Sequence, residues 1–142
     1  MLKLTPYQFG TIFESLRTAG VAGGSEKRQA TRMDVQTKIS LASLAGGKAG
    51  RCYTGLTRDV SASGVGFFQF APFANGDPFL VCFPFGKEEL VIQSQSMFCR
   101  PMADGMFLVG AQFEAIATPA TIEQLKAARA GAVDRIRQSI LT

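Results

Sequence analysis

Two groups of residues have types and spacing that could do chemistry. One is Arg28 and Arg32, four positions apart in a polar stretch with no hydrophobic period of its own. The other is Asp59, Ser61 and Gly64, which close one alternating segment and lead into the next. Arginine presents a planar fork of donors that grips a phosphate, or the O6/N7 edge of guanine, through two parallel hydrogen bonds. An aspartate does the complementary work, accepting from the N1–H and exocyclic amine on guanine's other edge. A serine hydroxyl adds a bond to either partner, and a glycine lets the backbone come close to a ring or a phosphate. The set suits a ligand that carries both phosphate and guanine. Lysine in place of either arginine would lose the two-bond geometry.

The surrounding charge points the same way. Residues 27–58 hold seven basic side chains (27, 28, 32, 38, 48, 51, 58) against one acid, Asp34, in a chain of net charge +4. A cluster of this kind concentrates anions such as phosphate. Lys27, Arg58 and Ser63 adjoin the two groups and are secondary contacts. Arg100 is another, placed near a strand end where its guanidinium could stack on an exposed base. Plain solvated charge is the simpler role for Arg58 and Arg100.

Other chemistry is excluded by what the chain lacks. It contains no histidine, which removes the usual general base, the usual partner of a serine or cysteine nucleophile, and the commonest metal ligand. No paired carboxylates replace it, so the expectation is a binding protein and not an enzyme. Cys52, Cys82 and Cys99 are odd in number, widely spaced and outside any CxxC pattern, as free thiols in a reducing cytoplasm would be. That arithmetic gives no disulfide framework and no metal site. No apolar run approaches the ~20 residues that span a bilayer, and no secretory leader is visible, so the expected location is the cytoplasm.

The elements that must position these residues follow from periodicity. Thr5 and Pro6 open a helix, with Phe9, Ile12, Phe13 and Leu16 on one face and Gly20 at its end. Strands are expected at residues 35–41, 51–60, 65–70, 79–83, 90–100 and 106–113, separated by turns at 45–50, 63–64, 75–77, 84–87 and 103–105. Phe67, Phe68, Phe70, Phe73, Phe79, Phe83 and Phe85 are read as core, and any on the outer face as a partner-binding patch. A final helix is capped by Thr121 and carries Ile122, Leu125, Val133, Ile136 and Ile140 along one stripe, with Gly131 interrupting it. The organisation is an N-terminal helix and Gly-rich linker at 1–25, a mainly β, six-stranded antiparallel barrel at 26–118, and a C-terminal helix at 119–142.

If the first two strands pair as a hairpin, residue 32 before one and residue 59 at the end of the other reach the same rim. Arg28 and Arg32 followed by Asp59, Ser61 and Gly64 then read RxxxR…DxSxxG. In that order and around a predicted hairpin, the motifs resemble the PilZ domain, a family of bacterial receptors for the second messenger cyclic di-GMP. The resemblance covers roughly residues 26–118. It implies that Arg28 and Arg32 grip phosphates and guanine Hoogsteen edges, and that Asp59 and Ser61 meet guanine from the barrel side. Gly64 would shape the turn beneath the ligand. It also implies that the arginine segment is mobile when empty, wraps the ligand on binding and reorients the N-terminal helix toward a protein partner. In such domains the residue before the first arginine, here Lys27, bears on whether one ligand or a stacked pair is held. No cofactor is implied beyond the cyclic di-GMP ligand.

Two other functions fit parts of the sequence. A PilZ-like barrel can serve as a protein–protein module without ligand, although the intact motifs speak against this. A basic barrel can also bind single-stranded nucleic acid through aromatics lining a basic groove. Few aromatics alternate with the basic residues here, so no nucleic-acid partner is expected.

Overall fold

A computed structural model describes residues 1–19, 21–22, 32–46, 48–70 and 76–141. The elements are α1 (Pro6–Ala19), β1 (Val21–Ala22), β2 (Arg32–Gln36), β3 (Lys38–Ala45), β4 (Lys48–Ser61), β5 (Gly64–Gln69), β6 (Pro78–Phe85), β7 (Glu88–Pro101), β8 (Phe107–Ile116) and α2 (Pro119–Leu141). All strand pairs are antiparallel. Going round the ring, β3 pairs with β4, β4 with β5, β5 with β8, β8 with β7, β7 with β6, and β6 returns to β3. The result is the expected six-stranded antiparallel barrel, in which each of these six strands is paired on both sides, while β2 and β1 extend from the end of β4.

The first barrel strand departs from its prediction. Alternation suggested one strand over 35–41, but the chain bends at Thr37 and divides into β2 and β3. Thr57 holds the bend from β4. Its backbone N–H and its hydroxyl donate to the Thr37 carbonyl at 2.9 and 3.2 Å, and its Oγ1 accepts the Thr37 N–H at 3.0 Å. Both threonines are buried, so these bonds satisfy backbone groups that water cannot reach. Beyond the bend, β2 registers Arg32, Met33 and Asp34 against Ser61, Val60 and Asp59. Arg32 therefore begins a strand instead of lying in an unstructured segment. Two predicted loops also contract. Ala45 already pairs with Lys48, and Pro84 and Phe85 extend β6 until the chain turns at Gly86, whose φ is +65°.

The run Phe79–Phe83 does not alternate because both of its faces are covered. Phe79, Val81 and Phe83 join Ile39, Leu41, Phe67, Val109 and Phe113 in the main core. Leu80 and Cys82 belong to a second cluster with Ala42, Leu44 and Leu125 of α2. Arg129 fixes that helix by a two-bond pair with Glu89 on β7, at 2.8 and 3.0 Å. Burial, with the Glu89 charge adding to it, pushes the Cys82 thiol up to about 12. Cys82 consequently packs as a small apolar side chain and carries little thiolate near neutral pH. Phe70 lies exposed, contrary to its assignment to the core; Phe68 and Phe85 are half-buried, and Phe73 falls outside the described residues.

Both helices start on a Thr-Pro pair. In α1, Thr5 Oγ1 accepts the Gln8 N–H at 3.1 Å while Gln8 Oε1 accepts the Thr5 N–H at 2.9 Å, a reciprocal capping box. In α2 the cap is Thr118, whose Oγ1 accepts the Thr121 N–H at 3.2 Å, and not Thr121 itself. Pro119 takes the first helical position, where a missing N–H costs nothing. Helix α2 continues through Gly131, and the side chains of Val133, Ile136 and Ile140 lie outside those described. Ile12 and Leu16 of α1 are fully buried and share the core of the barrel, together with Leu4 just ahead of the helix. Helix α1 is thus built into the barrel core, with Tyr7 on its other side 73% exposed.

Candidate functional site

The end of β4 lies between two neighbours. On one side β2 places Arg32 opposite Ser61; on the other, β5 places Gly66 opposite Asp59 and Val65 opposite Val60. Val60 and Val65 belong to the core. Side chains alternate across a strand, so Asp59, Ser61, Gly64 and Gly66 face the outer wall. The hairpin end thereby brings the backbone of Arg32 beside the segment 59–64. Arg28 and Lys27 lie outside the described residues, as does the side chain of Arg32.

Ser61 organises the turn. Its Oγ accepts the N–H groups of Gly64 and Ser63 at 3.1 and 3.3 Å, and stands 3.4 Å from the Ser63 hydroxyl. This is the turn capping that serine performs routinely. The turn is also bonded outward: Ser63 O accepts the Phe113 N–H of β8 at 2.8 Å, and Ala62 O accepts the Leu4 N–H at 2.7 Å. Gly64 is required here by proximity. A Cβ at this position would overlap the backbone carbonyl oxygen of Ala111 on β8, an atom that cannot rotate aside. Gly64→Ala is expected to destabilise the fold by about 1–3 kcal/mol, the usual range for overpacking. A lower urea midpoint at unchanged m-value would report it.

Asp59 is 8% exposed, and its Oδ2 accepts from Arg58 Nε at 3.0 Å. Successive residues on a regular strand face opposite ways. The register shift between Thr57 and Asp59 lets this neighbouring pair meet. Gly66 makes room for the carboxylate, since a Cβ there would lie 2.9 Å from Asp59 Oδ1. One strand further on, Gly110 is the register partner of both Gly66 and Phe98, and the Phe98 ring occupies the space a Gly110 side chain would fill. Arg100, exposed on β7, holds its guanidinium 5.4 Å from the centre of that ring. Together these residues border an open groove of about 350 Å³, which Arg58, Asp59, Ser61, Ser63 and Gly64 line on one side and Met97 and Phe98 on the other.

Gly66, Phe98 and Gly110 were not among the residues singled out from sequence. Their one local sign is a glycine inside an otherwise apolar strand, which marks a close approach of another group. Among the described residues, no three His, Cys, Asp or Glu side chains gather as a metal site would require. No helix among them is long and apolar enough to cross a membrane.

The fold and the groove define a class: a small closed antiparallel barrel whose grooved outer wall adjoins the end of its first hairpin. The family model for the PilZ domain matches residues 26–128, and the chain belongs to the PilZ domain family, a family of cyclic di-GMP receptors. The match takes in Lys27, Arg28, Arg32, Asp59, Ser61 and Gly64 and runs on into α2. No curated protein matches the sequence. Among solved structures, the chain is similar to the Bacillus subtilis inhibitor of motility (MotI/DgrA), with a TM-score of 0.50 and 12% identity over 78% of this chain and 53% of that one. This chain therefore spans about half the length of that protein, and the likeness is one of fold. It is also similar to the PilZ domain of CeSA from a cellulose-synthesizing bacterium, with a TM-score of 0.44 and 18% identity over 66% of this chain and 89% of that one.

Proposed function

We propose that this chain is a cytoplasmic, non-enzymatic receptor for cyclic di-GMP that signals through a protein partner. The observation that carries the reading is the strand register: Arg32 stands opposite Ser61 at the end of the hairpin, beside the groove. Arg28 and Arg32 take the phosphates and the guanine O6/N7 edges. Asp59 accepts from the guanine N1–H and amine, and the bond from Arg58 Nε orients its carboxylate. Ser61 and Gly64 hold the turn on which the ligand rests.

The route outward runs through α1. The turn 59–64 is bonded to Leu4, immediately before the helix, and β2 with Arg32 follows the helix in the chain. A ligand that draws Arg32 and the turn together acts on both ends of α1. The output is then a change in the surface α1 offers to a partner, in control of motility, biofilm or exopolysaccharide.

Calorimetric titration tests the reading. Cyclic di-GMP is expected to give saturable heat. Cyclic di-AMP, which has the same phosphates but lacks the guanine N1–H and amine, is expected to bind far more weakly. Absence of heat with high-micromolar cyclic di-GMP would overturn the receptor assignment, and equal binding of the two would overturn the role given to Asp59.

A further inference from the structure

We infer that Arg58 reads guanine directly. A β-bulge near the end of β4 turns it into the groove, where its terminal nitrogens donate to guanine O6 while Asp59 accepts from the N1–H and the amine. The inference rests on the reading of the groove as the cyclic di-GMP site. It adds to that reading a donor outside the arginine segment, one that helps select guanine.

The strand register sets Arg58 apart. Thr57 pairs with Phe67 and Asp59 with the adjoining Gly66, so Arg58 is an extra residue with no register partner on β5. Bulges of this kind re-aim a side chain, and they gather beside functional sites. Strict alternation from Asp59 would turn Arg58 to the inner face, where Val60 is buried in the core. The bulge instead leaves it half-buried on the outer wall, lining the groove. Thr57, immediately before it, is fully buried and hydrogen-bonded to Thr37 through its N–H and its hydroxyl, which anchors the irregular register.

The bond from Nε to Asp59 Oδ2, at 3.0 Å, fixes the guanidinium against the carboxylate and leaves the terminal nitrogens to a ligand. A Cβ on Gly66 would lie 2.9 Å from Asp59 Oδ1 and 3.6 Å from Arg58 Nη2. Acceptor and donor therefore border the same space above the glycine floor, side by side. Guanine carries the complementary order along one edge: O6 accepts, and the N1–H and amine donate. O6 has two lone pairs, so the one on the N7 side serves Arg28 or Arg32 and the one on the N1 side serves Arg58. Adenine in the same seat would turn its amine on the guanidinium and its bare N1 on the carboxylate. Both contacts would then repel, which is how a site rejects a wrong base.

Arg58→Met keeps the apolar stem of the side chain and removes its donors, and is expected to weaken cyclic di-GMP binding roughly 10- to 100-fold in calorimetry. A residue that only held Asp59 in place would also weaken binding when removed, and cyclic di-IMP separates the two roles. That ligand keeps O6 and N1–H but lacks the amine. The ratio of its Kd to that of cyclic di-GMP therefore measures what Asp59 gains from the amine. Direct donation to O6 predicts that Arg58→Met weakens both ligands by the same factor and leaves the ratio as in the wild type. A ratio that collapses shows that Asp59 has lost its setting and overturns the direct contact, as does wild-type affinity in Arg58→Met. If circular dichroism shows that Arg58→Met does not fold, Arg58→Lys, which keeps the charge without the fork, enters the same comparison. No heat from the wild-type protein overturns the receptor reading and this inference with it.

Discussion

Arg28→Ala and Arg32→Ala are each expected to weaken cyclic di-GMP binding by about 1.5–3 kcal/mol, the usual worth of a hydrogen bond to a charged group. That is roughly a 10- to 150-fold rise in Kd, which calorimetry on each variant would read directly. Lysine substitutions sharpen the prediction. Arg32→Lys keeps the charge but loses the planar fork, so affinity should recover only in part. Full recovery would mean that the basic stretch acts as a general field and not as a guanine and phosphate clamp. Stability is a separate matter, since β2 meets β4 through its backbone pairing. Far-ultraviolet circular dichroism should show both alanine variants folded.

The second large effect concerns α1. Leu16→Ala removes a fully buried side chain from the core that α1 shares with the barrel, and is expected to cost about 2–5 kcal/mol. Tyr7→Ala, on the exposed side of the same helix, loses an edge-on ring contact with Phe85 and should cost only about 0.5–1.5 kcal/mol. Urea denaturation of the pair measures the contrast. A small effect of Leu16→Ala would make α1 a peripheral appendage and remove the proposed route from the ligand to a partner.

How far the sequence reveals this molecule depends on whether the determining contacts are local. Alternation and turn residues locate the barrel strands because each face of a strand reports its own burial. The Thr5-Pro6 start of α1 is legible for the same reason. The equivalent Thr118-Pro119 pair carries the same signal, but Thr121 three residues on competes for it, and only the hydrogen bond to Thr118 decides. The bend at Thr37 is invisible locally. Thr37 keeps the alternation of its neighbours, and the residue that breaks the strand, Thr57, lies twenty positions away.

The candidate site divides in the same manner. Arginine, aspartate, serine and glycine declare their chemistry by type and order, so that half could be read directly. The groove floor could not, since Gly66, Gly110 and Phe98 come from three strands that only the register brings into line. The Arg58–Asp59 pair is a further case. Adjacent strand residues should point apart, and their contact depends on an irregular register with β5. Gly64 was expected to shape the turn, whereas its lack of a side chain is demanded by the backbone of β8.

The central claim is that the arginine segment and the turn 59–64 form one site for cyclic di-GMP on the outer wall of the barrel. Backbone amide shifts of the nitrogen-15-labelled protein, followed during titration with that ligand, test it most directly. Changes concentrated at residues 28–34, 59–66 and 110, saturating together with the calorimetric heat, are the predicted result. Amides that stay fixed at these positions, or changes confined to the face of the barrel beneath α2, would contradict it.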